Sequence, residues 1–291
     1  MYDICCIGHI TSDKVVNPGA VMHMPGGTAY YFSCAISGLD VSYLLITALA
    51  PAEMPYVDDL RDKGIKVNVQ PSANTVYFEN IYAQNQDERT QNVWAKADAF
   101  TMAQIQQENA RIFHLGPLLA DDISVELIKN IAAKGRISLD VQGYLRKVEN
   151  NKVQPADWPD KKEALQYVDI LKADVAELLA LTGQRQVSDG AMLAADWGVK
   201  EVVVTNGSQG SLIYSGGIFY TIPAYRPQII VDATGCGDTY MAGYLYKRSK
   251  GAGIQQAGEF AAAMAGLKTA SPGPFTGIEE DVQQFLADSD P

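Results

Sequence analysis

The sequence predicts an α/β fold in which a central, mostly parallel sheet is flanked by helices. Short apolar runs alternate with helix-like segments along most of the chain, as in βαβ units. The runs are continuous rather than alternating, which is typical of parallel strands buried on both faces. The 291 residues, of which 47% are hydrophobic, are enough for a large core. Because no repeat or long linker is present, we predict a single domain over residues 1–291.

The first elements follow this alternation closely. Residues 2–8, "YDICCIG", are a buried strand that stops at a glycine, and small and apolar residues at helical spacing predict a helix within 26–40. A strand over 41–46, a helix that ends at Gly64 and a strand over 65–69 come next. The chain therefore starts as a repeated strand and helix pattern of the kind that builds a parallel sheet.

The same alternation resumes in the second half. The predicted strands are 111–116, 136–140, 169–173 and 201–205, and the predicted helices are 122–134, 175–182 and 188–197. An apolar stripe after Asp238 predicts a further helix near the C-terminal end.

Two segments depart from this rhythm. Residues 14–25 and 74–95 alternate polar and apolar side chains with a period of two, and the second contains the turn-like sequence "QNQDERTQ". This periodicity predicts antiparallel strands outside the main sheet. Since both segments lie near candidate ligand residues, we predict a small β lid. A surface hairpin with no ligand role fits the periodicity equally well.

Charge and cysteine content exclude several classes of function. The net charge of −11 argues against a nucleic-acid-binding protein, because phosphate backbones are bound by clustered Lys and Arg. The four cysteines form no CxxC pair, which indicates free thiols in a reducing compartment. No apolar run approaches the roughly 18 residues of a membrane span. We therefore predict a cytoplasmic protein that binds neither a membrane nor nucleic acid.

The segment "DATGCGD", residues 232–238, carries the clearest chemistry. Gly235, Cys236 and Gly237 lie at the predicted start of a helix, where N–H groups can bind an anion. Asp238 is then either an N-cap or a base beside the anion. The Gly-x-Gly step favours the anion site, because glycines let the backbone approach a phosphoryl group. Neither a dinucleotide fingerprint nor a P-loop is present.

This segment resembles the C-terminal signature of the ribokinase-like (PfkB) carbohydrate kinase family. Other segments resemble further family motifs in the expected order: "GHITSD" (8–13), "GGTAYYFSCAISGLD" (26–40), "LDVQGYLR" (139–146), "LKADVAELLALTG" (171–183) and "VVVTNGSQG" (202–210). The resemblance spans nearly the whole chain. It implies a ribokinase-like fold and an ATP-dependent kinase that transfers the γ-phosphoryl group to a hydroxyl of a sugar or related polyol.

The resemblance also implies a role for each matched residue. Asp238 would be the general base, with the N–H groups of Gly235, Cys236 and Gly237 around the transferring phosphoryl group. The substrate would contact Asp13, Gly26, Gly27, Tyr31 and Arg146. The nucleotide would contact Thr205, Gly207, Gly210 and Thr234. From the residues alone, Asp13 could equally be a turn residue after the first strand.

The family resemblance also implies residues that bind metal ions. Asp174 and Glu177 would hold Mg²⁺ through water molecules, since this ion gives up its hydration shell reluctantly. The two residues could instead be an acidic first helical turn, which the helix dipole favours. Asp232 matches a carboxylate beside which some relatives bind a monovalent cation.

Departures from the family pattern leave the substrate open. Tyr31, Gln142 and Asp174 each stand where the family usually has Asn, and Tyr31 offers an aromatic face in place of an amide. A hexose, a pentose, an inositol and a nucleoside all remain candidates. A nucleoside kinase of the same fold is favoured if Tyr31 stacks on a base, and a sugar-binding homologue without turnover is a second alternative. A homodimer through the β lid is a further expectation.

Overall fold

The computed structural model describes residues 1–17, 20–82 and 89–289. The strands in this part of the chain are β1 (Tyr2–Gly8), β2 (Thr11–Asn17), β3 (Ala20–Gly26), β4 (Tyr43–Leu49), β5 (Lys66–Pro71), β6 (Val76–Tyr82), β7 (Arg89–Ala95), β8 (Ala110–Gly116), β9 (Arg136–Asp140), β10 (Arg146–Glu149), β11 (Lys152–Pro155), β12 (Ile170–Asp174), β13 (Glu201–Thr205), β14 (Ser211–Ser215) and β15 (Ile218–Ile222). The helices are α1 (Thr28–Ile36), α2 (Met54–Asp62), α3 (Met102–Ile105), α4 (Val125–Ala132), α5 (Lys161–Ala164), α6 (Val175–Thr182), α7 (Val187–Asp196), α8 (Cys236–Ser249), α9 (Ile254–Lys268) and α10 (Glu279–Asp288).

The larger sheet contains nine strands within the described ranges, in the order β15-β14-β13-β12-β9-β8-β1-β4-β5. All strands from β13 to β5 run parallel, and β14 and β15 add an antiparallel edge. The prediction of a mostly parallel sheet flanked by helices is confirmed. Strand β1 pairs with β4 on one side and with β8 on the other, so the strand order changes direction at β1. A crevice at the carboxyl ends of β1 and β8 is where ligands bind in such sheets.

The sheet is buried on both faces, as its continuous apolar strands require. In β1, Ile4 and Cys6 belong to the core that packs under α1, α8 and α9. Cys5 and Ile7, which point the opposite way, belong to the core under α4, α6 and α7. In the described part of the chain, none of the helices is both long and apolar enough to cross a membrane.

Two element boundaries lie three residues away from the predicted ones. The helix predicted over 122–134 begins only at Val125, because the Ser124 side chain accepts a hydrogen bond from the Leu127 N–H and caps it. Asp122 lies before this cap, and its carboxylate accepts hydrogen bonds from the N–H groups of Leu118 and Leu119 instead. The strand predicted over 41–46 runs from Tyr43 to Leu49.

The second sheet has the order β10-β11-β7-β6-β2-β3. Residues from 14–25 and from 74–95 lie in its strands, whereas most of the turn-like segment "QNQDERTQ" lies outside the described residues. Val76, Phe78 and Val93 form a small core beneath it with residues of the segment that follows β8. Its action as a lid, and a homodimer through it, stay predictions.

Strands β10 and β11 were not predicted. They form a hairpin whose turn residues, Asn150 and Asn151, both have positive φ angles, of 50° and 61°. Two such residues are typical of the tight turns that match the twist of a hairpin. The signal was therefore in the sequence, as "NN" between two short alternating runs.

Candidate active site

A cavity of about 830 Å³ opens between the second sheet and the carboxyl ends of the parallel strands. Of the predicted site residues, those that line it are Asp13, Gly27, Tyr31, Arg146, Asp232, Thr234, Gly235, Cys236, Gly237 and Asp238. Residues far apart in the sequence thus meet in one place. The topology explains this, because the loops after parallel strands gather at one edge of a sheet.

The segment 234–237, which we call the anion loop, runs into the first turn of α8. Gly235 occupies the N-cap position with a φ angle of 74°, in the left-handed region that favours glycine. A side chain there would also collide with the ring of Tyr31. The Cys236 N–H donates to the Ala233 carbonyl oxygen at 3.3 Å, which tightens the turn. Two independent constraints therefore require glycine at position 235.

Asp238 lies at the floor of the cavity, in the first turn of α8. Because Gly235 is the N-cap, the interpretation of Asp238 as an N-cap is wrong. Burial raises the pKa of its carboxyl to about 7, and the nearby Asp140 raises it as well. The ammonium of Lys172 and a hydrogen bond from Thr28 act in the opposite direction. A carboxyl with a pKa near neutrality is suited to accept a proton from a hydroxyl.

Lys172 is a residue that the sequence analysis missed. Its Nζ lies 3.0 Å from Asp140 Oδ2 and 3.6 Å from Glu177 Oε2, and its side chain is 7% exposed. Burial alone would lower the pKa of Lys172, but the three carboxylates of Asp140, Glu177 and Asp238 outweigh burial and raise it. The signal was a charged residue inside the apolar strand "ILKAD", since a buried charge requires partners.

Lys172 also lies near the anion loop. A Cβ atom added to Gly237 would lie 3.3 Å from Lys172 Nζ, so a side chain there would crowd the ammonium. Asp140, which holds Lys172, was likewise missed as a site residue although it ends the predicted strand "RISLD". Its Oδ1 accepts a hydrogen bond from the Gln142 N–H at 3.0 Å. Aspartates at the carboxyl ends of parallel strands point at the ligand crevice, and this was the usable signal.

The two predicted magnesium residues form a reciprocal capping box at the start of α6. The Glu177 N–H donates to Asp174 Oδ1, and the Asp174 N–H donates to Glu177 Oε2, both at 2.7 Å. Gln142 Nε2 donates to the other oxygen of Glu177 at 3.1 Å. Both oxygens of Glu177 are therefore bound by the protein, and the described residues contain no cluster of His, Cys, Asp and Glu suited to a metal ion, so Mg²⁺ beside this pair stays a prediction.

Asp13 lies on β2 and accepts a hydrogen bond from Thr11 Oγ1 at 2.6 Å. Gly26 on β3 pairs with Thr11, and a side chain at this position would collide with the Asp13 carboxylate. Gly27 has a φ angle of 84° and approaches the backbone oxygen of His9. Gly26 therefore makes room for Asp13 and does not itself line the cavity, whereas Gly27 does.

Tyr31 is only 4% exposed, and its ring lies against Gly235. Burial raises the pKa of its hydroxyl, and Asp232, Asp13 and Asp238 raise it further. The ring thus packs against the anion loop at Gly235. It presents little surface on which a nucleoside base could stack.

The second sheet supplies another part of the lining, in which polar side chains are mixed with the apolar Val15, Met22, Met24 and Phe78. Gln91 Nε2 on β7 donates to Asn80 Oδ1 on β6 at 2.8 Å, and both side chains line the cavity. Arg146, the first residue of β10, lines it too. Asn80 and Gln91 were not predicted, since polar residues in an alternating strand do not reveal which face a ligand occupies.

Of the predicted nucleotide-binding residues, Thr234 lines the cavity, whereas Thr205, Gly207 and Gly210 do not. Thr205 ends β13, and Gly207 and Gly210 follow it with φ angles of 50° and 88°. A side chain on Gly210 would collide with the Ile222 backbone, which explains that glycine by packing. The Thr234 N–H donates to Asp232 Oδ1 at 2.8 Å. Nucleotide contacts by these residues stay predictions.

Comparison with protein families gives a match over residues 1–281 to the model of the pfkB family carbohydrate kinases. The chain belongs to the pfkB family. This membership makes it a phosphotransferase of a family that acts on small sugars and nucleosides. The cytidine kinase of Thermococcus kodakarensis is 28% identical over 267 residues, which are 88% of this chain and 92% of that protein.

Solved structures of similar fold include kinases with different phosphoryl donors. One is described as a pyrophosphate-dependent myo-inositol-1 kinase converted into a myo-inositol-3 kinase by exchanging an asparagine and a serine, eleven positions apart, for leucine. It is 28% identical, with a TM-score of 0.87 over 98% of this chain and 99% of that one. The Arabidopsis thaliana ribokinase, solved with ribose and ATP, has a TM-score of 0.81 at 20% identity, over 99% of both chains, and supports the fold alone.

Proposed function

We propose that this pfkB-family protein is an ATP-dependent kinase that transfers the γ-phosphoryl group to a hydroxyl of a sugar or related polyol. One observation carries the proposal. The carboxyl of Asp238, with a pKa raised to about 7, lies behind the glycines of the anion loop and faces the same cavity as Asp13. A base, an anion site and an acceptor for hydroxyl hydrogen bonds are the parts that phosphoryl transfer to an alcohol requires.

The proposed reaction is a direct displacement. Asp13 accepts hydrogen bonds from hydroxyls of the acceptor and orients one of them towards Asp238. As that hydroxyl oxygen forms its bond to phosphorus, Asp238 takes the hydroxyl proton and the bond to the leaving phosphate oxygen breaks. The N-terminus of α8 and the Lys172 ammonium stabilise the negative charge of the phosphoryl group. Magnesium bound through water near Asp174 and Glu177 would neutralise donor charge.

Polar side chains around the cavity support a polyol acceptor. Asp13, Asn80, Gln91 and Arg146 offer donors and acceptors on one side of the cavity, as a molecule with several hydroxyls needs. A solved myo-inositol kinase structure at 28% identity supports an inositol-like polyol among the candidate acceptors.

Two alternatives have support of their own. The cytidine kinase relative aligns over 88% of the chain, which favours a nucleoside acceptor. Against it, Tyr31 is too buried to stack on a base. Pyrophosphate is the alternative donor. It is favoured by the pyrophosphate-dependent relative and by Thr205, Gly207 and Gly210, which do not contribute to the lining of the described cavity.

A donor and acceptor screen tests the proposal. With Mg²⁺ present, we expect millimolar ATP to raise the melting temperature, because a ligand that binds only the folded state stabilises it. A larger rise in melting temperature with pyrophosphate than with ATP would identify pyrophosphate as the donor. Product formation is then measured for sugars, inositols and nucleosides with the donor so identified. Turnover confined to nucleosides would favour that alternative, and stabilisation without any turnover would favour a sugar-binding homologue.

A substitution at Asp13 separates acceptor binding from donor binding. We expect Asp13→Ala to weaken acceptor binding by about 1.5–3 kcal/mol, the usual loss for a hydrogen bond to a charged group. Donor affinity is expected to stay near the wild-type value, since Asp13 lies on β2 and the anion loop on α8. Calorimetric titration of each ligand measures both effects, and Asp62→Ala on the exposed surface is the control. Equal losses for both ligands would mean that Asp13 is structural.

A further inference from the structure

Lys268, the last residue of α9, extends a fully buried side chain towards the anion loop. Its Nζ donates to the backbone oxygen of Asp232 at 2.8 Å and to Asp232 Oδ2 at 2.9 Å. Both oxygens belong to the residue that begins the "DATGCGD" segment. A buried ammonium therefore lies where the chain turns into the anion loop.

Further hydrogen bonds join two segments around this ammonium. The Val231 N–H donates to the Thr269 carbonyl oxygen at 2.7 Å, and the Gly273 N–H donates to Asp232 Oδ2 at 3.1 Å. The other carboxylate oxygen of Asp232 accepts the Thr234 N–H at 2.8 Å. Residues 231–234 and 269–273 are thus held to each other through one carboxylate, and that carboxylate is bound to one lysine.

The monovalent cation implied by the family resemblance does not fit this arrangement. Such a cation would need the oxygens of Asp232, and Lys268 already contacts its backbone oxygen and its carboxylate. A second positive ion at hydrogen-bonding distance from a buried ammonium would be repelled strongly. The expectation that Asp232 binds a monovalent cation is therefore revised.

We propose that Lys268 is a built-in cation that takes the place of a bound monovalent ion and fixes the anion loop, so that the protein works without K⁺. Lys268 is a positioning residue in this scheme. It acts through Asp232, which orients the Thr234 N–H at the entrance of the loop. The inference rests on the proposed function, because the loop it fixes is the proposed phosphoryl site.

The wild-type protein supplies the first test. Its melting temperature, with and without pyrophosphate or ATP, is measured in KCl and in choline chloride at equal ionic strength. We expect no difference between the two salts. Crystals soaked in Tl⁺ or Rb⁺ are expected to show no anomalous peak beside Asp232. A peak there, or a protein stabilised specifically by K⁺, would overturn the proposal. Neither measurement requires turnover, so a wrong assignment of the reaction does not affect this test.

Lys268→Ala supplies the second test, because it leaves room for an ion. We expect a melting temperature lower by roughly 5 to 15 °C, since the Asp232 carboxylate loses its buried partner. K⁺ or methylammonium, but not choline, should restore part of this loss and part of the donor affinity. Lys200→Ala, which removes an exposed lysine paired with Asp169, is the matched control and should show neither effect.

A purely structural ion pair would give a different result. In that case Lys268→Ala would lower the melting temperature but leave donor affinity unchanged at temperatures where it is folded. That outcome would overturn the positioning role. If Lys268→Ala does not fold, Lys268→Gln, which keeps one hydrogen-bond donor, replaces it with the same readouts.

Discussion

Asp238→Asn is expected to lower kcat at least about a hundredfold, because general-base catalysis typically contributes 10² to 10⁴ in rate. Asn has nearly the same shape as Asp but cannot accept the hydroxyl proton. Helix capping is not altered, since Gly235 and not Asp238 occupies the N-cap of α8. Donor affinity and the fold should therefore stay close to wild type.

The control for this experiment is Asp281→Asn. Asp281 is also the third residue of a helix, α10, and its carboxylate accepts the Ile278 N–H at 2.9 Å. Turnover, donor affinity and melting temperature are measured for both variants with the acceptor that the screen identifies. The control should keep kcat close to the wild-type value. If Asp238→Asn retains more than about a tenth of wild-type kcat, the proposed base is wrong.

The raised pKa of Asp238 also predicts a pH dependence. The base must be ionised, so kcat/KM of the wild-type enzyme should rise as pH increases through about 7. The free energy of unfolding is expected to change in the opposite direction with pH. Asp238 keeps its proton in the folded protein up to about pH 7, whereas it ionises near pH 4 when unfolded. The folded state thus binds more protons in this window, and the free energy of unfolding falls as pH rises from about 4 to 7.

Much of the fold could be predicted because parallel strands buried on both faces have a plain signature. Strand β1 and strand β13 are apolar runs, and the segment after β1 leads to Asp13 in the cavity lining. The hairpin of β10 and β11 was missed since its strands are short, exposed and charged. Its only strong signal is the pair of asparagines in its turn.

The candidate site also contains some residues that the sequence reveals and others that it does not. Glycine-rich segments and motif aspartates reveal the anion loop, Asp238 and Asp13, because their chemistry is readable from residue type and spacing. Lys268 looks like an ordinary lysine until the fold buries it beside a carboxylate, and the only sequence signal of Lys172 was its place in an apolar strand. A sequence shows that a charge exists, but only the packing shows that water is excluded from it.

Lys172→Met is the second substitution with a large expected effect. It removes the ammonium that Asp140 and Glu177 share and leaves two carboxylates without their common partner. Removing one member of a buried ion pair typically costs about 3–5 kcal/mol of unfolding free energy. Loss of the ammonium should also raise the pKa of Asp238 further, so less base is ionised at neutral pH. We therefore expect both stability and kcat at pH 7 to fall.

A second variant separates the two effects. Lys172→Met combined with Asp140→Asn removes opposite charges together, and such paired replacements restore much of the stability lost by one alone. The activity should not return, because the phosphoryl group still lacks the ammonium below Gly237. Chemical denaturation and turnover across pH are measured for both variants, with the exposed Lys200→Met as control. If the double variant regains wild-type kcat, Lys172 only neutralises the charge of Asp140. The anion loop alone would then stabilise the charge of the phosphoryl group.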